Sequence, residues 1–178
     1  MSAPVLPDIY VTDTCALDPR LGGLMSIDPT KIRSSDPPRH LEDFEHAGLR
    51  FKLASGISLV SDGTPGYLFH VHAVDGSLLG KVSGILATDS NSVSEIGHIG
   101  VEVVPERRGE GLPSRFALGV VPLLREEGVT DILFTCDPAN NAIKAAIGSV
   151  GAEYLDEWPG NGQDGVGKSR FALRDTHR

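Results

Sequence analysis

Residues 98–118 read HIGVEVVPERRGEGLPSRFAL, and the interpretation of the whole chain depends on this stretch. Its first part alternates between apolar and other residues, which predicts a strand over Glu95–Val104. One face carries the apolar side chains at 99, 101 and 103, and the other carries His98, Gly100 and Glu102. A glycine-containing turn follows, and Pro113 is favoured in the first turn of a helix. The stretch therefore predicts a strand, a glycine-rich turn and a helix.

The turn itself indicates an anion-binding loop. Gly109 and Gly111 allow the backbone to approach an anion closely. The helix that follows presents free N–H groups and the positive end of its dipole. Arg107 and Arg108 add positive charge. A phosphate group is the kind of anion that such a turn binds.

The elements around this stretch follow from shorter patterns. Asp75-Gly76 is a strong hairpin turn, and it joins predicted strands at Tyr67–Val74 and Leu78–Ala87. Gly151 ends a predicted helix over Asn141–Val150. Three further strands are predicted, at Asp131–Cys136, Glu153–Glu157 and Ser169–Arg174.

The first third of the chain has weaker patterns. Asp8–Thr12 could form a short strand. Residues 13–40 are rich in Pro, Asp and Ser, which predicts turns and short helical pieces. The apolar residues of Leu41–Leu53 recur at partly helical spacing. Asp62–Gly66 reads as a turn.

The region from 67 to 174 resembles the GNAT superfamily of acyl-CoA-dependent N-acyltransferases. That family's pyrophosphate loop has the form [RQ]-x-x-G-x-[GA], and residues 108–113 read RGEGLP. Upstream, HIGVEVVPERRG resembles the strand that receives the pantetheine arm. Downstream, LFTCDPANNAIKAAIGSVGAEY resembles the family's fifth strand and fourth helix.

This resemblance implies an α/β (α+β) fold in one domain spanning 1–178. The expected sheet is mixed but mostly antiparallel, has about six or seven strands that splay at its middle, and is flanked by about four helices. Residues 1–66 would form a variable N-terminal part, helical and substrate-binding. Residues 67–174 would form the cofactor-binding core.

The implied activity is acetyl transfer from acetyl-CoA to a primary amine of a small molecule or peptide, without a metal. Homodimers are frequent in such families. The resemblance assigns the cofactor to Val103, Arg108, Gly109, Glu110, Gly111, Leu112, Ser114 and Asn140.

The catalytic candidates lie on the same predicted strand. A backbone N–H, at Val103 or a neighbour, would polarise the thioester carbonyl. His98 and Glu102 are the candidates for the base that takes the proton of the amine, and Glu95 is a third choice. The alternatives are a structural histidine and a solvated carboxylate.

Three residues depart from the family pattern. Pro113 stands where the family has Gly or Ala, so one backbone donor is missing. Glu110 replaces a basic or neutral residue. Ile147 occupies the position at which many members carry a tyrosine that acts as general acid. These departures keep open the alternative of a catalytically silent acyl-CoA-binding protein.

Two other kinds of site are suggested by short motifs. His70 and His72 share one strand face and could form a metal site with His98, as in a metal-dependent hydrolase. Residues 162–169, GQDGVGKS, match the nucleotide-binding pattern G-x-x-x-x-G-K-[ST]. A P-loop must open a helix, whereas SRFALR alternates as a strand does. We therefore predict a glycine-rich loop there rather than a nucleotide site.

Composition limits the remaining possibilities. The 178 residues carry a formal charge of −8, so neither nucleic acid nor an anionic membrane is an expected partner. The two cysteines favour a reduced compartment over a disulfide framework. The first ten residues lack the pattern of a secretion signal, and no apolar run is long enough to span a membrane. We expect a cytoplasmic protein.

Overall fold

The computed structural model describes residues 32–89, 91–160 and 167–175. Its strands are β1 (Ile32–Ser35), β2 (Phe44–His46), β3 (Leu49–Leu59), β4 (Pro65–His72), β5 (Leu78–Ile85), β6 (Ile99–Val103), β7 (Asp131–Cys136), β8 (Glu153–Trp158) and β9 (Lys168–Arg174). Its helices are α1 (Leu112–Glu126) and α2 (Asn141–Ser149), and a 3-10 turn, Pro105–Arg107, precedes α1.

The strands form two sheets that separate between β6 and β7. One sheet has the order β1-β3-β4-β5-β6, with β2 also paired to β3, and the other has the order β7-β9-β8. All the strand pairs of the described residues are antiparallel. This confirms the α/β class and the expected splay.

The helices are fewer than the resemblance implied. The described residues hold two α-helices where about four were expected. Within that part of the chain, no helix combines the length and the apolar character needed to cross a membrane.

The predictions for the first third were wrong at two places that the structure describes, whereas the turn predicted at Asp62–Gly66 is present between β3 and β4. Leu41–Leu53 contains β2, a tight turn and the start of β3 instead of a helix. The Phe44 and Phe51 rings stack across this hairpin with centroids 4.5 Å apart. Within 13–40, residues 32–35 form β1 rather than a turn or helix. The predicted strand Asp8–Thr12 lies outside the described residues.

Both helices cover the same face of the sheets. The main apolar cluster contains Val101 of β6, Phe116 of α1, Phe134 of β7 and Ile147 of α2. Leu133 points the other way, into a second cluster with Val93. The faces alternate along β6 and β7 as the period-2 pattern predicts, so α1 and α2 lie over the line at which the two sheets part.

One glycine of α1 is required by the packing. A Cβ at Gly119 would lie 3.0 Å or less from three atoms of the buried Phe51 ring. We expect Gly119→Ala to lower the free energy of unfolding by about 1–3 kcal/mol, because overpacking outweighs the gain in helix propensity.

Gly148 of α2 is the matched control for this prediction. A Cβ at Gly148 has nothing within 4 Å, so Gly148→Ala should raise the free energy of unfolding by roughly 0.5–1 kcal/mol. Urea denaturation of both variants measures the difference. Stabilisation by Gly119→Ala would contradict the packing described for α1.

The nucleotide-binding motif does not open a helix. Its last two residues, Lys168 and Ser169, begin β9, and they pair with Trp158 and Glu157 of β8. Residues 162–166 of the motif lie outside the described residues. A strand start offers none of the convergent helix amides that a P-loop uses, and the predicted strand Ser169–Arg174 is confirmed.

Candidate functional site

The loop before α1 is open and depends on glycine. Gly109 and Gly111 have φ values of +85° and +68°, which side chains other than glycine rarely adopt. A Cβ at either position would have no atom of the described residues within 4 Å, so that part of the chain leaves the space beside both glycines open. The structure therefore has the strand, glycine turn and helix that the sequence predicted.

The first turn of α1 presents free backbone donors. Gly111 is the N-cap residue, and no side chain caps the helix. The amides of Leu112 and Ser114 have no carbonyl of the same helix to bind, and Pro113 has no N–H. The Ser114 hydroxyl donates to the Gly111 carbonyl at 3.0 Å. The amides and the helix dipole thus remain available to an anion.

An ion pair crosses this loop. Arg107 Nε and Nη2 donate to the two carboxylate oxygens of Glu110 at 2.7 and 2.9 Å. Hydrogen bonds from Arg107 lower the pKa of Glu110, and the same contact raises the pKa of Arg107. Arg108 is exposed and, within the described residues, forms no ion pair. Arg107 is therefore already paired, and Arg108 is the free cation of the loop.

The ion pair between Arg107 and Glu110 should weaken the binding of an anionic ligand to the loop. Glu110→Gln would release Arg107 and remove a negative charge from the loop, so we expect acetyl-CoA to bind about 2- to 5-fold more tightly. Glu106→Gln removes an equal charge from the adjacent turn without releasing Arg107. Calorimetric titration compares the two variants, and equal effects would mean that the ion pair itself plays no part.

Beside the loop, one edge of β6 faces the split between the sheets and pairs with no strand of the described residues. Ile85 N–H donates to the His98 carbonyl, and Val104 N–H donates to the Leu79 carbonyl. Amides along an antiparallel strand alternate in direction. With this register, the amides of Val101 and Val103 point away from β5 and towards β7.

The space over this edge is narrow. A cavity of about 10 Å³ lies between the helices and the split. Its lining is almost wholly apolar and consists of Val101, Pro113, Ser114, Ala117, Phe134, Ala146, Ile147 and Val150. An extended ligand would therefore have to move α1 and α2 apart or displace side chains such as Ile147.

Asn140 has a structural contact of its own. Its side-chain oxygen accepts the Ile143 N–H at 3.1 Å and so caps α2. The capping bond leaves the Asn140 NH₂ group available as a donor. Asn140 is thus the N-cap residue of α2, as Gly111 is the N-cap residue of α1.

Glu102 lies on the face of β6 opposite the helices. Its carboxylate forms an ion pair with Lys81 Nζ at 3.1 Å, and its side chain is 44% exposed. Lys81 is directly opposite Glu102 in the β5–β6 register. The sequence analysis missed Lys81, although the hairpin at Asp75-Gly76 and the length of β5 could have indicated the pairing.

His98 lies at a different kind of position. Its ring is buried, with 2% of the residue exposed. Nδ1 accepts the Leu133 N–H at 2.8 Å, and Nε2–H donates to the Ala87 carbonyl at 3.0 Å. Burial lowers the pKa of His98. Because both nitrogens are bonded inside the protein, this geometry argues against His98 as the base that meets a substrate.

For the same reason, His98 is not available as the third ligand of the metal site suggested for His70 and His72. On β4, His70 is exposed and His72 is partly exposed, and His72 Nδ1 contacts the Gly76 carbonyl at 3.1 Å. Among the residues that the structure describes, no group of three or more His, Cys, Asp or Glu side chains could hold a metal ion.

A larger cavity lies on the side of the sheet away from the helices. It has a volume of about 470 Å³ and is lined by Leu59, Ser61, Asp62, Asn91, Ser92, Ser94, Glu95, Ile96 and Trp158. Trp158 and the carboxylates of Asp62 and Glu95 give it features that suit an organic cation. Only sequence-distant segments form this cavity, so the linear pattern did not indicate it.

Comparison with known proteins finds similarity to solved structures but not to family models or curated proteins. The sequence matches no family model and no curated protein. The solved structures that match include two with a TM-score of 0.50. The ribosomal-protein α-N-acetyltransferase RimL, in complex with coenzyme A, is 12% identical, and the match covers 61% of this chain and 62% of RimL. The microcin self-immunity acetyltransferase MccE, in complex with acetyl-CoA and AMP, is 14% identical, with 62% and 61% covered.

A third match is the spermidine/spermine N-acetyltransferase SpeG from Vibrio cholerae, in complex with manganese ions, at 15% identity and a TM-score of 0.49. The match covers 65% of this chain and 68% of SpeG. The chain spans less than two thirds of the length of RimL and MccE. At these identities the similarity concerns the architecture alone, and the chain has the fold of the acetyltransferases RimL and MccE.

Proposed function

We propose that this chain, which has the GNAT fold, transfers an acetyl group from acetyl-CoA to a primary amine of a small molecule or peptide. The observation that carries the proposal is the open glycine loop at the start of α1, directly after a strand whose free amides face the split between two sheets. One element supplies donors for a pyrophosphate, and the other supplies donors for an extended amide-containing arm.

The residues present fit the donor at its charged end. We assign the pyrophosphate to Arg108, to the backbone of Gly109, Glu110 and Gly111, and to the amides of Leu112 and Ser114. Asn140 would contribute its NH₂ group from the start of α2. Because the cavity at Ile147 is narrow, binding would move α1 and α2 apart or displace side chains such as Ile147.

The proposed chemistry uses β6. When bound, acetyl-CoA supplies an activated thioester. The Val103 amide would donate to the thioester carbonyl as charge develops on its oxygen. Glu102 would remove the ammonium proton, directly or through water. The neutral amine would then attack the carbonyl carbon, the C–N bond would form as the C–S bond breaks, and the nitrogen would lose its second proton to water. Because Ile147 cannot donate a proton, water would protonate the departing thiolate.

Two carboxylates are candidates for the base that takes the proton of the amine. Glu102 neighbours the Val103 amide and is kept near Lys81 by the ion pair. Glu95 lines the larger cavity instead. We favour Glu102 because the base and the polarising amide would then belong to adjacent residues. A cytoplasmic location and a homodimer remain predictions of the same account.

A catalytically silent acyl-CoA binder is the second candidate. The Arg107–Glu110 pair, Pro113 and the small cavity at Ile147 all favour weak or inert binding. Calorimetric titration with acetyl-CoA, followed by a free-thiol assay across a panel of amines, separates the two. Micromolar binding with thiol release supports the enzyme, and binding without release from any amine supports the silent binder. Titration with ATP and Mg²⁺ is the negative control, and binding of ATP alone would contradict both.

A further inference from the structure

His98 and Leu133 join the two sheets by two hydrogen bonds. His98 N–H donates to the Leu133 carbonyl at 2.7 Å, and Leu133 N–H donates to His98 Nδ1 at 2.8 Å. Neighbouring strands in a regular ladder exchange backbone bonds only. Here a side chain takes the place of the backbone acceptor for Leu133. Within the described ranges, no strand pairing continues from this point along β6 and β7.

The same ring holds a third segment. Nε2–H donates to the Ala87 carbonyl at 3.0 Å. This bond connects the segment between β5 and β6 to the contact between His98 and Leu133, which we call the junction. Because the Leu133 N–H requires an acceptor and the Ala87 carbonyl requires a donor, the ring must be the neutral tautomer with its proton on Nε2. No other tautomer satisfies both bonds.

Gly97 allows the close approach that the junction needs. Its φ is +75°, and a Cβ there would lie 3.0 Å from the Leu133 carbonyl oxygen and 3.2 Å from the Thr135 nitrogen. Residue 97 therefore brings the backbone close to β7, and residue 98 then bonds to it with both its backbone and its side chain.

We infer that His98 is a positioning residue that ends the contact between the two sheets and so sets where the split begins. Its ring accepts the Leu133 N–H in place of a backbone carbonyl, and beyond this contact the described part of the chain shows no strand pairing between β6 and β7. Beyond this point the amides of Val101 and Val103 remain directed into the split. The inference rests on the proposed function, because it assigns His98 to holding open the edge that would bind the acyl donor.

Charge on the ring would break the junction. A proton on Nδ1 would face the Leu133 N–H, which is already a donor. Burial disfavours the charged ring most strongly, the Ala87 carbonyl and Asp89 favour it, and Arg125 of α1 disfavours it, with a net lowering of the pKa of His98. A histidine with a lowered pKa gives its full stabilisation above its unfolded value of about 6.5 and loses it as the pH falls towards the folded value. The junction should therefore weaken below about pH 6.5.

Three substitutions separate the two ring bonds. His98→Asn keeps an acceptor near the Nδ1 position, His98→Gln keeps a donor near the Nε2 position, and His98→Leu keeps neither. We expect His98→Leu to weaken acetyl-CoA binding at least about 10-fold, since a buried donor loses its partner. His98→Asn should stay within about 3-fold of the unsubstituted protein and should lose the stability change below pH 6.5.

Ring and amide NMR signals make the test independent of acetyl-CoA. In the unsubstituted protein, the ¹⁵N shifts of His98 should show a neutral ring protonated at Nε2, and His98→Leu should move the Val101 and Val103 amide signals. A ring protonated at Nδ1 would overturn the inference, even if His98→Leu does not fold. Unchanged acetyl-CoA affinity and unchanged Val101 and Val103 signals in folded His98→Leu would also overturn it. If the unsubstituted protein binds no acetyl-CoA, the proposed function fails, and the NMR signals still decide the role of His98.

Discussion

Gly111→Glu is expected to weaken acetyl-CoA binding by about 100-fold. The residue has a φ of +68°, so a side chain strains the loop. The new carboxylate would also occupy the helix N-terminus, where it would repel a pyrophosphate and compete for the first-turn amides. Lost charge-assisted hydrogen bonds and added repulsion together amount to about 3 kcal/mol, which corresponds to the stated factor.

Gly128→Glu is the control for that variant. Gly128 lies just past the other end of α1, has a φ of +87°, and would have nothing within 4 Å of an added Cβ. It therefore imposes a similar backbone strain and an equal charge far from the loop. Calorimetry should give unchanged affinity for Gly128→Glu. An equal loss in both variants would mean that binding responds to general destabilisation or net charge and not to the loop.

The second large effect is expected at Glu102. Glu102→Gln removes the proposed base but keeps the size of the side chain and its contact with Lys81. We expect kcat to fall by roughly 100-fold or more, as for other general bases. The affinity for acetyl-CoA should change little, because the carboxylate faces away from the helices and the glycine loop. Steady-state kinetics with the best amine of the panel, together with calorimetry, measures both quantities.

Two further glutamates make this result decisive. Glu45→Gln is the control, because Glu45 is also an exposed strand carboxylate paired with a cation, Arg50. Its kcat should be unchanged. Glu95→Gln tests the larger cavity. If kcat falls in Glu95→Gln and not in Glu102→Gln, the amine reacts at the cavity and our assignment of the base is wrong.

The sequence predicted the second half of the chain because its signals there are local. Asp75-Gly76 fixes the β4–β5 hairpin, Gly111 and Pro113 mark the start of α1, and Gly151 ends α2. Each depends on backbone preferences within a few residues. The glycine loop of the candidate site was predicted for the same reason.

The prediction for Leu41–Leu53 was wrong because the spacing of its apolar residues fits both a helix and a strand. Leu41, Phe44, Leu49 and Leu53 recur at intervals that a helix allows, but Leu49, Phe51 and Leu53 also alternate as in a strand. The stacking of Phe44 on Phe51 and the pairing of Phe51 with Val71 of β4 decide between them. Such contacts join residues that sequence periodicity treats separately.

The role of His98 at the candidate site also depends on contacts between residues that are distant in the sequence. The sequence placed His98 on a strand over Glu95–Val104, whereas β6 begins at Ile99 and residues 95–98 precede the strand. Its role depends on Ala87, 11 residues before it, and Leu133, 35 residues after it. An exposed histidine and a buried one have the same local pattern. Only the tertiary structure shows that both ring nitrogens are already bonded.

The most direct test of the central claim is amide chemical-shift mapping of the full chain during titration with coenzyme A. The account predicts saturable changes concentrated at Val101, Val103 and residues 108–115, with smaller changes at Asn140. No saturable change at these amides, or changes centred on Lys168 and Ser169, would contradict it, and the acyl-transfer proposal would then be abandoned.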